Sequence, residues 1–120
     1  MNNVNIVIVE DDVLIAEDLR AMCEEFDANV VGMAHSVEEA FDVIENSDAQ
    51  YVLMDVRLGG KRDGVDVAQW VYDVKPDMKL VFITGSNEPP TIERIHQDHP
   101  FRILIKPIQP EQLREALTAK

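Results

Sequence analysis

Five short apolar runs divide this chain, and every gap between them can hold a helix. The runs are NIVIV at 5–9, NVVGMA at 29–34, YVLM at 51–54, KLVFIT at 79–84 and RILI at 102–105. Most are nearly continuous in apolar residues, the composition of strands covered on both faces. Between them the apolar period lengthens to that of a helix. Leu19, Met22, Cys23 and Phe26 form one stripe. Val37, Ala40, Phe41 and Ile44 form a second, behind a capping-box signal from Ser36 to Glu39. A third helix is predicted over about 65–74, stopping before Pro76, and Pro110 suits the first turn of a last helix that turns Leu113 and Leu117 inward. The gap after the fourth strand is weakest. It holds three prolines, Pro89, Pro90 and Pro100, and little periodicity, so a helix there is short or irregular, within 91–97. Strand and helix alternating in this way define an α/β fold with a parallel sheet. For (βα)5 with right-handed crossovers, a doubly wound, flavodoxin-like sheet of order 2-1-3-4-5 is favoured.

The 120 residues, 46% of them hydrophobic, suit one domain over 1–120 with a core of its own. Eleven basic residues against 23 acidic ones leave a net charge of −12, which disfavours nucleic acid and anionic membranes as partners. No apolar stretch approaches the roughly 18 residues of a spanning helix, and the start lacks the pattern of a secretory signal, so a cytoplasmic location is expected. Cys23 is single and lies on an apolar stripe, as core filler does.

Ligands of such a sheet bind outside the carboxyl ends of the strands. Strand 1 delivers Glu10, Asp11 and Asp12 there, strand 3 delivers Asp55, strand 4 Thr84 and strand 5 Lys106. Taken singly, each has an ordinary reading: acids after a strand cap the next helix, and Lys-Pro ends a strand. Asp12 is expected to be such a cap. Together the tips of strands 1, 3, 4 and 5 converge on one rim. Carboxylates crowded there repel until a cation joins them, and Lys106, an ammonium at the end of an apolar run, needs an acidic partner. Oxygen ligands with room for water suit Mg²⁺, and a rim with a hydroxyl and a lysine opposite the metal suits a phosphoryl group.

These residues resemble the receiver domains of two-component response regulators. The resemblance spans the whole chain and rests on IVIVEDD, LMDVRL around Asp55, Asp63-Gly64, FITG with Thr84, and ILIKP with Lys106. It implies that Asp55 accepts a phosphoryl group from a sensor histidine kinase or histidine phosphotransfer protein. Asp11, Asp55 and the backbone carbonyl of Arg57 would ligate Mg²⁺, Glu10 would assist through water, and Thr84 and Lys106 would hold the phosphoryl oxygens. Arg57 and Ser86 would flank the path of hydrolytic water, and the Lys106-Pro107 bond would be cis. Such a domain is a phosphoacceptor that changes its partner-binding surface, and is not a multiple-turnover enzyme for a small substrate.

The chain also departs from that pattern. An aromatic residue commonly stands three before the lysine, where this chain has Ile103, so the segment 85–100 is the expected carrier of the signal instead. FITGSN resembles a divergent form of a single-domain subclass marked by Phe-Ala-Thr-Gly, a hydrophobic residue and Tyr; Ser86 and Asn87 do not match it. The stretch after Lys106 is too short for an output domain, which fits a single-domain regulator or phosphate shuttle if these residues are the whole chain. A flavodoxin-like cofactor binder is disfavoured because Glu10, Asp11 and Asp12 would repel a flavin phosphate. A haloacid-dehalogenase-type phosphatase would need an aspartate where Glu10 stands. The alternative retained is a receiver-like module that binds protein without phosphorylation. His35, His96 and His99 lack metal-ligand spacing and read as loop or surface residues.

Overall fold

The computed structural model describes residues 4–25, 28–55, 64–75, 77–84, 102–105 and 108–118. Its elements are β1 (Asn5–Val9), α1 (Val13–Glu25), β2 (Asn29–Ala34), α2 (Val37–Glu45), β3 (Tyr51–Asp55), α3 (Gly64–Val74), β4 (Lys79–Thr84), β5 (Arg102–Ile105) and α4 (Pro110–Thr118). The five strands pair in parallel in the order β2-β1-β3-β4-β5, the doubly wound sheet that the alternation predicts. The irregular helix expected within 91–97 lies outside the described residues, as does the whole segment 85–100.

Side chains alternate between the two faces of a strand, so a fully covered sheet supports two cores. Val7, Val9, Val52, Met54, Leu80 and Phe82 form one with Val37, Ala40 and Ile44 of α2 and Val67, Ala68 and Val71 of α3. Ile6, Ile8, Leu53, Val81 and Ile83 form the other with Ala16, Leu19 and Cys23 of α1 and Leu113 and Leu117 of α4. Burial pushes the Cys23 thiol up to about 12, which keeps it protonated and makes it packing material. Ile103 is half-buried and packs against the first core.

The edge strand β2 is irregular. Ile6 pairs with Val30 and Val7 with Gly32, so Val31 is left over as a bulge and is exposed. Gly32 is there for space, since a Cβ would stand 2.5 Å from Cγ1 of Val43 on α2. Ser36 caps α2 in extended conformation, its Oγ accepting from the Glu39 N–H at 3.1 Å. The return half of the capping box is displaced: the Glu39 carboxylate accepts from the His35 N–H, at 3.4 Å. At the other end of α2, the Lys75 ammonium donates to the carbonyls of Ile44, Glu45 and Ser47 at 2.8, 3.0 and 2.8 Å. This cation satisfies orphan carbonyls where the helix dipole is negative and ties α2 to the end of α3. Phe41 and Trp70 complete that contact edge to face, with ring centroids 5.0 Å apart.

Candidate metal and phosphoacceptor site

The acidic run after β1 divides its labour. Oδ1 of Asp12 accepts from the N–H groups of Leu14 and Ile15 at 2.9 and 3.2 Å, so Asp12 caps α1 as expected. Glu10 stays with the sheet, its N–H donating to the Ala34 carbonyl at 2.9 Å. By alternation Glu10 continues the row Ile6, Ile8, and Asp55 continues the row Tyr51, Leu53. Val9 pairs with Met54, which brings the next residues, Glu10 and Asp55, side by side on one face.

The outcome is a largely buried acidic pair with an exposed third member. Glu10 is 1% and Asp55 7% exposed, Asp11 is exposed, and carboxylate oxygens of all three lie within 4.8 Å of one another. Burial, foremost, pushes the Glu10 carboxyl up to about 7; a hydrogen bond with Asp55 and the charge of Asp55 act in the same direction. The Asp12 N–H, donating to Glu10 Oε1 at 3.2 Å, opposes the shift. A proton or a cation relieves the crowding. The donor set is oxygen only, two carboxylates buried at strand ends and one exposed, which fits a hard divalent ion of the Mg²⁺ or Ca²⁺ kind.

Thr84 ends β4 one position beyond Ile83, the partner of Asp55, and so stands at the same carboxyl edge of the sheet. Arg57 and Lys106 lie outside the described residues, as do Ser86, the rest of the FITGSN signature after Thr84, and the Lys106-Pro107 bond. One participant escaped the sequence reading. His35, which the sequence presents as a loop or surface residue, places Nδ1 2.8 Å from the Glu10 backbone carbonyl. Its position directly after an apolar run is legible in the sequence, but the β1–β2 register that brings it to Glu10 is not.

The acids at the carboxyl ends of β1 and β3 stand at the edge where doubly wound α/β sheets bind their ligands. The profile of the response regulator receiver domain matches residues 6–118, and the chain belongs to that family. The transcriptional regulatory protein PdtaR of Mycobacterium tuberculosis is 30% identical over 112 residues, which are 93% of this chain and 54% of PdtaR. The chain spans about half the length of the curated relatives it matches. Among solved structures, the signal receiver domain of a modulated diguanylate cyclase from Desulfovibrio desulfuricans G20 superposes with a TM-score of 0.87 at 30% identity, covering 96% of this chain and 90% of that one. A response regulator from Burkholderia pseudomallei, solved with a phosphorylated aspartic acid, calcium ion and citrate, shares the fold at a TM-score of 0.87 and 23% identity, covering 98% of this chain and 68% of its own. Among the described residues, no helix is long and apolar enough to cross a membrane.

Proposed function

We propose that this domain is a phosphoacceptor whose receiving residue is Asp55. A carboxylate oxygen of Asp55 attacks the phosphorus of a phosphohistidine on a sensor kinase or histidine phosphotransfer protein. The new O–P bond forms as the N–P bond breaks, and the leaving imidazole nitrogen keeps the electron pair and takes up a proton. Asp11, Asp55 and the Arg57 carbonyl would hold Mg²⁺, with Glu10 acting through water. When bound, the ion supplies positive charge beside the phosphoryl oxygens. Thr84 and Lys106 are assigned to those oxygens, the first through a hydroxyl donor and the second through an ammonium.

The observation that carries this reading is the approach of the Glu10, Asp11 and Asp55 carboxylates within 4.8 Å at the sheet's carboxyl edge. The phosphorylated aspartic acid and calcium ion of the Burkholderia regulator support it by fold. Phosphoramidate, whose N–P bond imitates phosphohistidine, is a suitable small donor. With Mg²⁺, mass spectrometry should find a single added phosphoryl, on Asp55, that a chelator prevents and Asp55→Asn abolishes. Full incorporation in Asp55→Asn would assign the nucleophile elsewhere.

A further inference from the structure

We propose that His35 is a positioning residue for the turn formed by Glu10, Asp11 and Asp12, and thereby for the cation site. In a regular parallel ladder, the Glu10 N–H bonded to the Ala34 carbonyl is followed by a donor from residue 36 to the Glu10 carbonyl. Here β2 ends at Ala34 and Ser36 is the extended cap of α2. The imidazole of His35 supplies a donor at that place, its Nδ1 2.8 Å from the Glu10 oxygen. A carbonyl can only accept, so Nδ1 carries the proton.

The Glu10 carbonyl and the Asp11 N–H belong to one planar peptide. Pinning the oxygen therefore fixes the plane from which the Asp11 side chain departs, while the Glu10 carboxylate already receives the Asp12 N–H at 3.2 Å. The ring is itself held by its backbone, because the His35 N–H donates to Glu39 at 3.4 Å and Glu39 sits in the capped first turn of α2. A side chain from the turn between β2 and α2 thus sets the direction of the acidic turn. For Mg²⁺ the proposal rests on the site reading above.

Asn and Leu are close in shape, and Nδ2 of Asn stands where Nδ1 of His does, so His35→Asn keeps the donor and His35→Leu removes it. In the metal-free 120-residue chain, amide exchange at Asp12 should be about tenfold faster in His35→Leu, the size of one lost hydrogen bond, and normal in His35→Asn. Mg²⁺ affinity, by calorimetry, should fall about tenfold in His35→Leu and recover in His35→Asn, as for other partners that orient metal ligands. Unchanged Asp12 exchange in His35→Leu, or no recovery in His35→Asn, overturns the proposal. If the unaltered chain binds no Mg²⁺, the site reading fails, and the exchange result still decides the role of His35.

Discussion

Glu10 is the residue whose chemistry depends most on its surroundings. In the metal-free protein its carboxyl lies near 7 instead of 4.5, through burial first and then the hydrogen bond with Asp55. Between those values the folded chain keeps a proton that the unfolded chain has lost. The associated stability is therefore complete below about 4.5 and is lost as pH rises through about 7. Glu10→Gln keeps a neutral hydrogen-bonding group at all pH values. It should remove that slope and, above pH 7 in a chelator, leave the variant more stable by on the order of 3 kcal/mol. Urea midpoints between pH 5 and 8 would show it, and parallel curves for the two proteins would place the proton on another group. The acids themselves were legible from sequence, because each directly follows an apolar run and the topology brings those ends together. Which of three consecutive acids serves the helix was legible too, since Asp12 stands where an N-cap must. His35 was not, because its partner is 25 residues away and is found only through the β1–β2 register.

At the scale of elements, the strand runs could be read because two-sided burial writes itself as unbroken apolar sequence, and the helices because their stripes repeat. β3 extends one residue further than its apolar run, to Asp55, since backbone pairing with Ile83 continues where the side chain turns acidic. The bulge at Val31 had no such signature. It accompanies a tertiary contact, the seating of Val43 over Gly32, that no local pattern encodes. This contact makes a specific prediction. A methyl at position 32 would stand 2.5 Å from Val43 Cγ1, and a β-branched side chain on a helix has little rotamer freedom to retreat. Gly32→Ala should destabilise the protein by about 1–3 kcal/mol, the range for overpacking. Val43→Ala removes the obstructing methyl, so in the double variant the Gly32→Ala cost should shrink to a few tenths of a kcal/mol. Additive losses in a double-mutant cycle would show that β2 moves away from α2 instead, and that the bulge absorbs the added methyl.

For the molecule as a whole, the net charge of −12 and the acidic edge act together, and a divalent ion can stabilise the fold by two routes. The first is screening of diffuse self-repulsion, which any salt provides and which depends on ionic strength. The second is mass action at Glu10, Asp11 and Asp55, which requires that arrangement of carboxylates and saturates. At ten times its dissociation constant, a ligand that binds only the folded state adds about 1.4 kcal/mol, a rise of roughly 5 °C in Tm for a chain of this size. The two routes separate cleanly. NaCl matched in ionic strength to MgCl₂ should give only the screening part, and the remainder should vanish in Asp11→Asn, whose exposed side chain can be changed without opening the core. Binding also competes with the proton on Glu10, so the Mg²⁺-specific gain should be larger at pH 8 than at pH 6. Thermal scans of both proteins in the two salts at these two pH values test the whole scheme. Equal gains from matched NaCl and MgCl₂, or an undiminished Mg²⁺-specific gain in Asp11→Asn, would mean that the cation acts on the surface charge at large and not on the edge formed by β1 and β3.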